Sequence, residues 1–327
     1  MVHFKYTRPR FVKDIEKCYV LPLLRLYSKG PNLKGARYLF IVNPTAGQGK
    51  TAGLFDAVKP LIDGKNIPYE QRLTTRPGEA KSLAGEALSR GFTHIVAVGG
   101  DGTSHEVVNG ILGSSVVFGM IPSGSGNDFP KSAGIPLEAR KAVETVFSGR
   151  ERTIDLGKLG DEYFINGLGI GLDGAVSHRF KKLKRFRGQL GYIFGAVQEA
   201  FSFEGFDTEI TIGDWKCSDK LLLTGASNGI YQGGKFRLAP GARVDDGLLV
   251  FHIIKDMSAL ERLVKIPKVL DGTHSGLAEV ILKAGTAMKL AIKQRQPAHM
   301  DGEPFYIEPG EHGIEVVPGA LRIMSSE

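Results

Sequence analysis

A buried strand that runs straight into a glycine corner and then a helix leaves a chain few folds to choose from. Residues 94–112 have that form. In His94-Ile-Val-Ala-Val-Gly-Gly-Asp-Gly-Thr103 the apolar run Ile95–Val98 reads as a strand buried on both faces. Val107, Val108, Ile111 and Leu112 then recur at helical spacing. A corner of this kind turns backbone N–H groups towards an anion at the start of a helix. Gly99, Gly100 and Gly102 carry no Cβ, which would let a bulky phosphate approach the main chain. Asp101 stands where a carboxylate meets Mg²⁺ or a ribose hydroxyl. Taken alone, the same corner also suits an ordinary turn in an α/β protein.

Two more corners of this make argue for a nucleotide site. Tyr38–Val42 reads as a core strand and ends in Asn43-Pro-Thr-Ala-Gly-Gln-Gly-Lys50, followed by an amphipathic helix through Leu54, Phe55, Val58, Leu61 and Ile62. The ending Gly49-Lys50-Thr51 imitates a Walker A loop, but that motif needs a glycine where Pro44 stands. Val116–Ile121 is a further strand and ends in Pro122-Ser-Gly-Ser-Gly-Asn-Asp-Phe129. Tyr69–Thr74 supplies another strand before a helix with Ala80, Leu83, Ala84 and Ala87 inside, and a helix over 137–147 closes the series. In open α/β sheets ligands bind at the carboxyl ends of the strands, where all three small-residue corners fall.

Beyond Arg152 the pattern changes. A hairpin around Gly160-Asp161 is followed by short strands at 206–213, 219–226, 247–254, 278–284, 286–293, 311–317 and 320–324. Glycine and proline turns separate them, as in a mostly antiparallel β domain, with helices near 189–203 and 257–270. Gly169-Ile-Gly-Leu-Asp-Gly174 matches GxGxxG, but a basic run follows where a dinucleotide site needs an acidic residue. It reads as a tight loop at the domain interface. The expected division is a basic extension (1–35), an α/β nucleotide-binding domain (36–152), a β-rich domain (153–318) and a last strand (319–327) returning to the first domain.

The net charge of +7 favours anionic partners: nucleotides, phosphorylated metabolites, acidic lipid surfaces or nucleic acid. Two cysteines, Cys18 and Cys217, make no disulfide framework and point to a reducing compartment. No run approaches the ~18 apolar residues of a membrane span, and no signal-type apolar region follows the basic start. A cytoplasmic protein, at most attached to a membrane surface, is expected. Residues 1–35 read first as a solvated arm; Phe11, Ile15, Tyr19 and Leu23 on one helix face give the membrane-surface alternative.

Together, Gly99-Gly-Asp-Gly-Thr103, Asn43-Pro-Thr-Ala-Gly47, Gly124-Ser-Gly-Asn-Asp-Phe129 and Asp301-Gly-Glu303 resemble the diacylglycerol kinase catalytic family. The closest likeness is to its bacterial two-domain lipid kinases, with sphingosine and ceramide kinases as cousins. The likeness spans residues 36–325 and keeps the motif order. GGDGT alone is shared with NAD kinases; the late DGE and the GxxNDF-type loop separate the two. The resemblance implies an α/β nucleotide domain, a β-rich domain, and transfer of the ATP γ-phosphoryl group to a lipid hydroxyl. It places ATP against Asn43, Pro44, Thr45, Ala46, Gly47, Thr74, Gly99, Gly100, Asp101, Gly102, Thr103, Ser125, Asn127 and Asp128. Glu303 would be the base and Asp101 would meet Mg²⁺ beside the triphosphate, because phosphoryl transfer asks for positioning, charge neutralisation and one carboxylate near the nucleophile. On residue chemistry alone, Glu303 is equally a solvated turn carboxylate. A structural Mg²⁺ would sit on the Asp246 side chain and the main-chain carbonyls of Arg243 and Leu248.

Two departures bear on the phosphate contacts. Lys131 stands near where relatives carry Arg, keeping the charge but not the bidentate fork. Gln48 stands where some relatives have Lys, with Lys50 as its substitute. The run His178–Arg187 interleaves Phe180, Leu183 and Phe186 with basic residues. Docking on an anionic bilayer, at roughly 1 kcal/mol per basic residue, and packing of the aromatics on the core stand as equal readings. Nucleic acid is not an expected partner, and a homodimer is an assembly the resemblance allows. Diacylglycerol is the leading acceptor, with a sphingoid base or NAD as alternatives.

Overall fold

The computed structural model describes residues 35–182 and 198–326. Residues 1–34 of the basic leader, residues 183–187 of the basic run and residues 189–197 of the helix expected near 189–203 lie outside the described residues.

The first lobe follows from strands with no polar face. β1 (Tyr38–Val42), β2 (Tyr69–Leu73), β3 (His94–Gly99) and β4 (Val117–Pro122) are parallel, in the order β4-β3-β1-β2. All of β1 is buried because both its faces are covered. Tyr38, Phe40 and Val42 pack with α1 (Thr51–Asp63) and α5 (Ala139–Ser148). Leu39 and Ile41 alternate to the other side, under α2 (Glu79–Ser89) and α3 (Asp101–Ile111). α4 (Asp128–Ser132) is a short turn of helix after β4.

The second lobe is antiparallel. β5 (Arg150–Leu159) and β6 (Glu162–Phe164) form the expected hairpin. β7 (Gly167–Gly171) leads into α6 (Leu172–Lys182), and β8 (Phe206–Ile212) with β9 (Trp215–Ser227) follows. β10 (Leu249–Lys255), α7 (Ala259–Asp271), β11 (Val280–Gly285) and β12 (Ala287–Ile292) come next. β13 (Gln296–Met300) and β14 (Glu303–Ile307) make a hairpin before β15 (Gly310–Ser325).

Two expectations need correction. The strands expected at 311–317 and 320–324 are one strand, β15. Pro318-Gly319 is absorbed as a bulge between Val317 and Leu321, because the Gly319 N–H donates to the buried Asp155 carboxylate at 2.8 Å. Beyond the bulge, Arg322 and Ile323 pair parallel with β4, so the described strands form one 15-stranded sheet through both lobes. The stretch Gly169–Gly174 is the end of β7 and the first turn of α6, not an interface loop. Its glycines let the helix lie on the sheet: a Cβ on Gly174 would collide with the backbone of Pro297 and Ala298 in β13. Among the described residues no helix is long and apolar enough to cross a membrane.

Candidate active site

The three glycine corners meet at one edge of the first lobe, and they touch each other. A Cβ on Gly47 would strike the Ser123 carbonyl, and one on Gly124 would lie 2.6 Å from the Gly100 Cα. On Gly102 it would lie 2.5 Å from Oε1 of Glu303, and on Gly99 it would strike the Thr103 side chain. The glycines of the central corner are therefore closely packed inside the protein, a constraint that their local sequence does not announce. Side chains finish the assembly. Asn43 accepts from the Thr45 amide at 3.1 Å and donates to Thr103 Oγ1 at 3.1 Å. Thr51 and Ser123 share a hydroxyl hydrogen bond of 2.6 Å. Asn127, with φ +52°, closes the third corner by accepting from Gly124 N–H and donating to Gly124 O.

Asp101 opens α3 and joins the second corner to the third. Its Oδ1 accepts from the amides of Asp128 (2.9 Å) and Phe129 (3.2 Å). Burial and the carboxylates of Asp128 and Asp301 push the Asp101 pKa up to about 7, against the pull of those two amides. Asp128 is raised as well, by burial above all. A carboxyl raised in the folded state binds a proton that the unfolded chain has already released. Stability contributed by Asp101 is thus present below pH 4 and lost as pH rises towards 7. Without added nucleotide, the melting temperature of the wild type should fall over that window more steeply than that of Asp101→Asn. Parallel curves in a thermal scan series would rule out this placement of the proton.

From the second lobe, the β13–β14 turn brings Asp301-Gly-Glu303 against α3. Asp301, 8 % exposed and at φ +48°, accepts from the amides of Ile165 (2.9 Å), Asn166 (2.8 Å) and Gly167 (3.0 Å). Its fourth bond, 2.9 Å to Nδ1 of His105, ties it to α3 one turn beyond Asp101. Burial lowers the His105 pKa, but Asp301, Glu303 and Glu162 outweigh it and the net shift is upward. Gly302 N–H donates to Nδ1 of His299, and His299 pairs with Asp173 of α6 at 2.9 Å. Glu303 pairs with Lys181, also of α6, at 2.7 Å. Each residue of the turn is held by its own partner.

A cleft of 560 Å³ opens between these two groups. Asn43, Thr45, Ala46, Gly47, Thr74, Gly100, Asp101, Gly102, Thr103, Ser125, Asp128 and Glu303 line it. Pro44, Gly99 and Asn127 shape its corners from outside the lining, and Arg243, Asp246 and Leu248 lie away from it. The crowded carboxylates of Asp101 and Asp128 give the cleft an oxygen-only donor set, the kind that a hard divalent cation takes. In the Arg243–Leu248 turn, Asp246 Oδ1 accepts from the Leu248 amide at 3.1 Å. Burial, with Asp155 and Asp245 nearby, raises the Asp246 pKa, and this too is a hard, oxygen-only set. Among the described residues no three His, Cys, Asp or Glu side chains are gathered as a metal cluster.

The sequence matches the diacylglycerol kinase catalytic domain over residues 37–159, and the YegS C-terminal NAD kinase beta sandwich-like domain over 167–325. It is 32 % identical to a diacylglycerol kinase of Bacillus subtilis over 285 residues, 85 % of this chain and 93 % of that one. This chain belongs to the diacylglycerol kinase family. A probable lipid kinase YegS-like of Pseudomonas savastanoi pv. phaseolicola is also 32 % identical, over 84 % of this chain and 90 % of that one. The fold is that of a putative diacylglycerol kinase from Bacillus anthracis, with a TM-score of 0.75 at 23 % identity over 91 % of this chain and 98 % of the other.

Within this diacylglycerol kinase family member, several residues of the site were not legible in the sequence. Glu106 accepts from the amides of Gly78 (2.8 Å) and Ala80 (3.0 Å), which holds the Thr74–Pro77 segment over the cleft. Its signal was its place on the helix after GGDGT. Lys131 does not face the cleft as a free cation. Its ammonium donates to Gly126 O at 2.7 Å and to Gly234 O, while Asp128 accepts from Gly234 N–H at 2.8 Å. It clasps the 232–234 loop of the second lobe onto the third corner. In the described part of the basic run, His178 meets Phe305 O and stacks on Tyr306, and Arg179 pairs with Glu199. Those side chains serve packing.

Proposed function

We propose that the protein transfers the γ-phosphoryl group of ATP, with Mg²⁺, to the hydroxyl of a lipid, diacylglycerol first among them, giving phosphatidic acid. One observation carries this reading: Glu303, arriving from the second lobe, lies against Gly102 in the corner that also holds Asp101. A base and an anion-binding corner on opposite lips of one cleft are what an alcohol and a triphosphate need in order to meet. Glu303 takes the proton of the attacking hydroxyl as the new O–P bond forms and the bond to the β-phosphate oxygen breaks. The ammonium of Lys181, 2.7 Å from its carboxylate, holds Glu303 at that corner. Backbone amides of the three corners and the hydroxyls of Thr45, Thr74 and Ser125 hold the phosphates. Asp101 would be the protein-side carboxylate for Mg²⁺, and the ion would supply neutralisation of phosphate charge there. The second, structural Mg²⁺ is assigned to Asp246 with the carbonyls of Arg243 and Leu248. A lipid acceptor requires work at a membrane surface, so peripheral attachment belongs to the same proposal.

The test is an assay with γ-labelled ATP and three acceptors in mixed micelles: dioleoylglycerol, sphingosine and, in solution, NAD. Label in phosphatidic acid is expected. Label only in NADP would overturn the reading, and label only in sphingosine phosphate would move the acceptor.

A further inference from the structure

Asp173 lies in the first turn of α6, outside the cleft lining, and its Oδ2 is 2.9 Å from Nε2 of His299 in β13. Gly169 makes that meeting possible. It stands opposite His299 where β7 pairs with β13, and a Cβ there would lie 2.6 Å from the same Nε2 and strike the Asp173 carboxylate. Gly169 and Asp173, two members of the stretch that imitates a dinucleotide fingerprint, thus build a seat for one imidazole.

The other ring nitrogen reaches the turn that carries the base. Nδ1 accepts from Gly302 N–H at 3.2 Å, and Glu303 is the next residue. An N–H donor needs a lone pair on Nδ1, so the ring in this arrangement is neutral with its proton on Nε2, beside Asp173. A Cβ on Gly302 would meet nothing within 4 Å, so side-chain packing does not fix this residue. Its bond to the buried ring does, and any turning of the Gly302 peptide moves Glu303 with it.

We propose that Asp173 and His299 are positioning residues for the base: Asp173 keeps the ring proton on Nε2, and the lone pair of Nδ1 holds the Gly302 amide and so sets Glu303 at the Gly102 corner. The inference rests on the reading of Glu303 as the base and deepens it. It carries a pH dependence. Burial disfavours the imidazolium, Asp173 of α6, Asp301 of the turn and Asp128 of α4 favour it, and the net shift is upward. His252 of β10, whose own pKa burial lowers to about 4, adds no charge at neutral pH. A proton on Nδ1 sets N–H against N–H, so Gly302 is held above the His299 pKa and released below it.

Long-range proton–nitrogen NMR reads the tautomer of His299 without substrate, the signal being assigned from a His299→Asn spectrum. At about pH 9, above the ordinary histidine range, the ring should be neutral with its proton on Nε2. Asp173→Asn, which removes the charge, should move the His299 titration to lower pH. Turnover of dioleoylglycerol at about pH 9 then compares His299→Asn with His299→Leu, two side chains of one shape. Asparagine offers an oxygen at the δ position and leucine offers none. His299→Leu should melt no lower than His299→Asn, since it buries no polar group, yet its kcat should be about 10-fold lower, the size of one hydrogen bond. KM for ATP should be alike in both. A purely structural role would make turnover follow the melting temperature. Equal kcat in the two variants, a higher kcat with leucine, a ring protonated on Nδ1 at that pH, or a titration that Asp173→Asn leaves unmoved overturns the proposal while the wild type still phosphorylates lipid. A wild type that phosphorylates no lipid overturns the lipid kinase reading, and the positioning role with it.

Discussion

Glu303→Gln is expected to lower kcat by ~10³-fold, within the range that a positioned general base supplies, with KM for ATP and the melting temperature near wild type. The substitution keeps the shape of the side chain and removes only its ability to take a proton. Nothing in the fold depends on that carboxylate. Glu303 is solvent-reachable, its partner Lys181 is 60 % exposed, and an exposed pair of this kind adds little to stability. The turn that carries residue 303 is held instead by Asp301 and His299. Activity and stability should therefore separate cleanly in this variant. Steady-state kinetics on dioleoylglycerol beside a thermal melt decide it: turnover within a few-fold of wild type takes the base away from Glu303.

How much of this was legible in the sequence depends on the range of the interaction. Local signals carried well. β3 and the GGDGT corner were readable because an apolar run, a glycine cluster and a helical repeat sit within 19 consecutive residues. The antiparallel lobe was readable from the spacing of its turns. Long-range contacts were not. Pro318-Gly319 has the local chemistry of a turn, yet Asp155, 164 residues earlier, turns it into a bulge within a single strand. Gly169–Gly174 looked like a loop because glycine spacing alone does not show that β13 will press on Gly174. Lys131 was read as a cation for phosphate, since nothing near it in sequence announces the Gly234 carbonyl that claims it. His105 and Asp301 are 196 residues apart, and only the closing of the sheet through β15 brings them to 2.9 Å.

That pair underlies the second large effect. Asp301→Ala should lower the unfolding free energy by about 3–5 kcal/mol, the cost of opening a buried, charge-assisted network, and should abolish turnover. Its carboxylate receives three consecutive amides, from Ile165, Asn166 and Gly167, at a site almost sealed from solvent. Alanine leaves all three N–H groups and the His105 ring without that acceptor. Asparagine is a poorer repair than its size suggests. One amide oxygen replaces two carboxylate oxygens, and its NH₂ faces a donor whichever way the side chain is turned. Asp301→Asn should fall between alanine and the wild type in denaturant unfolding, and Asp301→Ala should lose stability and turnover together, unlike Glu303→Gln. A wild-type denaturation midpoint for Asp301→Ala would mean that the amides of residues 165–167 find other acceptors. The clasp between the lobes would then have to be sought at Lys131 and Gly234 instead.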